Sequence, residues 1–123
     1  MIATILLAMA SPAAALAPPT TCDSTHPADH VAGRWIGEFA GADWTFELTR
    51  NATGWSGRYQ SSRAPVWRPL EVVSVTGGCA TFSLKSEPRV TFVVTLDAGG
   101  TALTGDVQIA GLATLPFAAK RTS

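Results

Sequence analysis

The chain has 123 residues, nine basic against nine acidic side chains, and 46% apolar residues. That length holds one domain. A neutral balance without a basic run excludes phosphate-backbone recognition of nucleic acid and gives no electrostatic reason to bind an anionic membrane.

No charged side chain precedes Asp23. Residues 1–17 read as a signal peptide, with an apolar run at residues 2–10 followed by Ala- and Pro-rich sequence. Small-x-small cleavage motifs stand at Ala8-Met9-Ala10 and Ala13-Ala14-Ala15, and the opening lacks the usual Lys or Arg. The stretch is too short to persist as a membrane span. The reading is therefore export, to the periplasm or beyond the cell, with no span left after leader removal. Residues 18–32 are rich in Pro, Asp, His, Thr and Ser and predict an extended tail. Two cysteines in an exported chain predict one disulfide, Cys22 to Cys79. Such a tether is worth about 4 kcal/mol in the chain-entropy treatment. Lipid attachment at Cys22 is the weaker reading, because Pro19-Thr20-Thr21 replaces the expected Leu-x-small signal.

From Gly33 the hydrophobic period becomes two, the period of a half-buried strand. Trp35, Gly37 and Phe39 share one face, and Ala40-Gly41-Ala42 makes a turn. Trp44, Phe46 and Leu48 alternate with Thr45, Glu47 and Thr49. After the Asn51-Ala52-Thr53-Gly54 turn come Trp55, Gly57 and Tyr59. Residues 61–69 are irregular, with two prolines and two arginines around Trp67. Strands are then expected at residues 70–76, from Cys79, at 90–96, at 103–109 and at 115–119, joined by Gly-rich turns. The sum is an all-β chain, an antiparallel up-and-down barrel of about eight short strands over residues 33–121. A barrel removes the open edges that a flat meander would leave, and Gly37, Gly57 and Gly105 permit coiling within strands.

Gly33-Arg34-Trp35-Ile36-Gly37 on the first strand, with Arg121 (or Lys120) ending the last, resembles the lipocalin and fatty-acid-binding barrels. The resemblance implies that Trp35 closes one barrel end beneath Arg121, in a cation–π contact of about 1 kcal/mol. A closer likeness spans residues 33–121. Phe46 and Leu48, Gly57 and Tyr59, Pro69-Leu70 with Val73, Thr81-Phe82, Leu103-Thr104-Gly105 and Leu115-Pro116-Phe117 follow in order. This series resembles the small lipocalin-like barrel that occurs in bacteria alone or ahead of secreted α/β-hydrolases. Glycines and core apolar residues carry the match, so it implies a fold and no activity.

No catalytic constellation stands out: there is no Gly-x-Ser-x-Gly, and both histidines fall outside the barrel. Glu38 and Glu47 share a surface on neighbouring strands, where glutamates are usually solubilising. His26 and His30 are four apart near Asp23 and Asp29, but Pro27 interrupts them, so they read as a solvated segment rather than a metal site. Asn51-Ala52-Thr53 matches a glycosylation acceptor and is explained as a turn. Trp35, Trp44 and Trp55 sit at core positions and predict a filled interior. Trp67 differs. With Arg63, Arg68 and Tyr59 it forms the candidate binding site, either capping a barrel mouth or projecting towards a partner. The expectation is a monomeric, cofactor-free, non-catalytic binding module of the cell envelope. An envelope protease or lysozyme inhibitor and a carrier of a small apolar ligand are the alternatives.

Overall fold

A computed structural model of the chain describes Cys22 and residues 24–122; the expected leader lies outside these residues. Nine strands follow a single 3-10 turn at Ala28–Val31. They are β1 (Gly33–Phe39), β2 (Ala42–Asn51), β3 (Gly54–Ser61), β4 (Ala64–Pro69), β5 (Val73–Thr76), β6 (Cys79–Leu84), β7 (Val90–Leu96), β8 (Ala102–Ile109) and β9 (Ala113–Thr122). One antiparallel sheet holds them all, in the order β4-β3-β2-β1-β9-β8-β7-β6-β5. Chain neighbours are sheet neighbours except β4 and β5, and one further pair joins strands far apart in the chain. The first and last strands pair, with Trp35 opposite Arg121 and Gly37 opposite Ala119. The two edges, β4 and β5, share no ladder, so the sheet curls into a barrel with a seam.

Residues 70–72 bridge that seam. The Leu70 amide donates to Gly57 O (2.9 Å) on one side, and the Glu71 amide donates to Ser83 O (2.9 Å) on the other. Beyond this crossing β3 and β5 lie alongside each other. The stretch expected as a strand over residues 70–76 is therefore half crossing and half strand.

The irregular segment expected at residues 61–69 contains a ninth strand. Pro65 and Pro69 remove two amide donors, which disqualifies a central strand but not an edge one. β4 is an edge, and its pairing with β3 shifts register between Tyr59 and Ser61. The missing donors also blunt that edge against pairing with other chains.

Inward positions carry the large apolar residues that the alternation picks out. Trp35, Phe46, Leu48, Phe82, Phe92, Val94, Leu103 and Val107 are all buried. The rings of Phe46, Phe82, Phe92 and Phe117 fill the middle, with centroids 4.9–6.1 Å apart. Trp44 and Trp55 are only half-buried, packing on this core from its two ends. Curling the sheet this tightly needs strand glycines. A Cβ on Gly105 would lie 1.9 Å from Val93 O, and one on Gly37 would meet the Phe117 ring at 2.8 Å.

The β1–β2 hairpin has a two-residue loop, Ala40 at φ 55° and Gly41 at φ 76°. Positive φ at both positions is the type I′ arrangement, which favours Asn-Gly. Ala40 pays the steric cost of a Cβ in the left-handed region, roughly 1 kcal/mol. Ala40→Asn should therefore raise unfolding free energy by about 0.5–1 kcal/mol, read as a higher urea midpoint at unchanged slope.

Candidate functional site

Chemistry-bearing side chains gather in two places: the barrel end that receives the N-terminal segment, and the outer surface of β1–β4.

At the first place, residues 24–32, the described part of the polar segment expected as an extended tail, plug the barrel end. Val31, on the 3-10 turn, is fully buried against β5 and β6. Five attachments hold the segment. Cys22 is bonded to Cys79 at the start of β6, with Cα atoms 5.9 Å apart. The Trp35 indole donates to Val31 O at 3.0 Å. The Arg121 guanidinium donates to Ala32 O at 3.0 Å and to His30 O, while its carbon lies 4.2 Å above the Trp35 ring. Arg50, 5.8 Å over Trp55, pairs with Asp29. Finally His26 Nε2 lies 2.8 Å from Asp97 O and 3.1 Å from Ala98 O, in the β7–β8 turn.

That turn is itself rigidly built. The Asp97 carboxylate accepts the Thr101 amide (2.9 Å) and the Ala102 amide (3.2 Å). These bonds, the Thr101 amide foremost, hold the Asp97 carboxyl below its usual pKa. Gly33 packs beneath Arg121 as well, since a Cβ there would lie 2.8 Å from Nη1.

The second place is a row across four strands. Antiparallel register sets Arg34 opposite Glu47, and Glu47 opposite Arg58. All three point outward. Glu47 accepts from Arg58 Nε at 2.6 Å and from Arg34 Nε at 3.0 Å. Both guanidinium groups lie over the Trp67 ring on β4, Arg58 at 4.2 Å and Arg34 at 5.5 Å from its centroid. One carboxylate and one half-buried indole thus organise two arginines, and the row keeps one net positive charge. The Glu47 carboxyl is held below its ordinary pKa of 4.5, mainly by the Arg58 hydrogen bond and then by that of Arg34.

The four candidate binding residues do not converge. Trp67 is half-buried on the outer side of β4, with Arg58 and Arg34 over its ring. Tyr59 faces inward, its ring stacked on Trp44 at 6.0 Å. Arg63 is exposed in the β3–β4 hairpin, reaching Gly41 O at 3.4 Å. Arg68 is exposed on β4 opposite Tyr59. The partners Trp67 does have, Arg34 and Arg58, sit at outward positions of their strands, a signal present in the alternation. Only the register shows that they meet.

Glu38 and Glu47 share a surface but do not act on each other. Glu38 stands opposite Asp43, four residues along β1 from the position opposite Glu47. That is about 13 Å of strand, too far for a working carboxylate pair. An open polar cleft of about 520 Å³, lined by Glu71, Lys85, Ser86, Glu87 and Arg89, lies near the β6–β7 loop, with Arg89 paired to Glu71. Its lining residues are exposed, and no aromatic ring is among them.

No protein-family model, no curated protein and no solved structure matches the chain.

The Glu47 row makes a pH prediction. Folding lowers this carboxyl's pKa, so its stabilising contribution is complete above the unfolded value of 4.5 and is lost as pH falls through the folded value. Wild type should exceed Glu47→Gln in stability at pH 7, with the gap closing as pH falls below 4.5. Parallel urea titrations across pH 2.5–7 (roughly the range over which carboxylates titrate) read this directly.

Proposed function

We propose that the protein is a non-catalytic interaction module of the exported kind, which engages a partner through the outer surface around Trp67. One observation carries this reading: a large indole lies on the outside of the sheet, oriented by Arg58 at 4.2 Å and Arg34 at 5.5 Å. Trp and Arg are the residue types that most often dominate binding energy at interfaces. Here Glu47 holds both guanidinium groups in advance, which lowers the ordering that opposes association. The exposed Ile36 continues the same surface along β1. An acidic side chain beside an apolar one on the partner would match the row's single net positive charge and its indole face.

The Cys22–Cys79 disulfide supports export, since such bonds persist in oxidising compartments. No described helix is long and apolar enough to cross a membrane. Arg121 above Trp35 at the plugged end supports a place among the lipocalin-like barrels. Against the ligand-carrier alternative stands the ring-filled interior. Against the inhibitor alternative stands the absence of a long protruding segment among the described residues of the two candidates: residues 61–69 are a tight hairpin turn and an edge strand, and residues 24–32 pack into the barrel end.

Trp67→Ala should leave the near-native circular dichroism intact and weaken capture of a specific envelope partner at least tenfold. Val93→Thr, a control on the far wall, should leave capture unchanged. Equal capture by wild type and Trp67→Ala contradicts the proposal.

A further inference from the structure

The two histidines of the plug are brought together by the fold. Pro27 does not separate them; it leads into the 3-10 turn, in which the His30 amide donates to Pro27 O at 3.0 Å. The consequence is that His26 Nδ1 lies 3.2 Å from His30 Nδ1, with the ring centroids 5.3 Å apart.

The protonation of His26 follows from its surroundings. Its Nε2 faces two backbone carbonyl oxygens, Asp97 O at 2.8 Å and Ala98 O at 3.1 Å. Carbonyls only accept, so Nε2 carries the proton. In the neutral ring Nδ1 is then a bare lone pair, directed at the corresponding nitrogen of His30. A ligand imidazole that gives its remaining N–H to a backbone carbonyl is the usual outer-shell arrangement at metal centres, where it fixes tautomer and ring orientation.

The separation fits a chelate. An ion about 2.0–2.1 Å from each nitrogen would subtend roughly 100° between them, between the square and tetrahedral values. In the absence of an ion the same approach is bridged by one proton, donated by His30 Nδ1 to His26 Nδ1. Among the described residues no three His, Cys, Asp or Glu side chains converge on one point, and Asp29 is engaged by Arg50. The protein therefore supplies two ligands, and water completes the shell on the exposed His30 side.

We propose that His26 and His30 form a two-imidazole site for a late first-row divalent ion of the nickel, copper or zinc type. Neutral imidazoles select such ions over magnesium or calcium, which require oxygen ligands. An ion held there would displace the shared proton, which passes through water to Nε2 of the exposed His30 ring so that both ligands stay neutral. It would couple the plug to the β7–β8 turn, since His26 is fixed to that turn and the His30 carbonyl is fixed by Arg121.

The test uses tag-free, disulfide-intact protein and Zn(II) as probe. Long-range nitrogen–proton spectra of the imidazoles at pH 7.5 should show the Nδ1 resonances of both rings shifting together and saturating at one equivalent. Mg(II) should shift neither. In calorimetry His30→Gln, which alters an exposed side chain, should weaken Zn(II) binding at least tenfold. Perturbation of only one ring, of neither, or an affinity unchanged in His30→Gln overturns the site. The spectra are recorded on wild type, so they decide the matter even if a substitution unfolds the chain.

Discussion

The contact on which this structure turns is the guanidinium of Arg121 seated on the ring of Trp35. Trp35 is fully buried near the start of the first strand, and Arg121 stands opposite it near the end of the last. Pairing those two strands is what converts a nine-strand meander into a barrel. The same pairing places a cation where it can reach the carbonyls of His30 and Ala32. With the indole N–H already given to Val31 O, the N-terminal segment is gripped through its backbone from both sides. Side chains of the segment add to this backbone grip: Cys22 through its disulfide, Asp29 through Arg50 and His26 through the β7–β8 turn.

This explains how a domain of about a hundred residues maintains a barrel that is not fully closed by hydrogen bonds. The seam between β4 and β5 is bridged only at residues 70–72. A core of that size is marginal without additional constraints. Here the disulfide, the plug and a tightly packed phenylalanine cluster provide them. With one end and the interior occupied, the outer surface of β1–β4 becomes the natural place for recognition. There the Arg34–Glu47–Arg58 row holds two guanidinium groups over the Trp67 indole, the surface proposed above for recognition.

Much of the fold was legible in the residues, and the parts that were not have physical reasons. Period-two alternation identified eight strands because each has one face in the core. The ninth, β4, has no such pattern: it is an edge with two prolines and no core-facing series. The plug was legible only at its Cys22 tether: residues 18–32 are polar, and the bonds to the His30, Val31 and Ala32 carbonyls leave no trace in composition. The surface row was half visible. Arg34, Glu47 and Arg58 all fall at outward positions, yet their meeting depends on register, and register is a property of paired strands. Trp67 stood out as unusual, but the guanidinium groups over its ring belong to Arg34 and Arg58 rather than to Arg63 and Arg68, the arginines near it in sequence. The histidine pair needed the 3-10 turn, whose proline read as an interruption.

On this account residues 24–32 are an integral part of the barrel end, held by the Trp35–Arg121 contact. Hydrogen exchange of the Trp35 indole N–H, followed by NMR, tests it most directly. If the indole is bonded to Val31 O beneath a fixed plug, its N–H exchanges as slowly as the central amides of β1 and β9. Exchange at the rate of an exposed indole, while those amides stay protected, would show that the plug opens independently and contradict the claim.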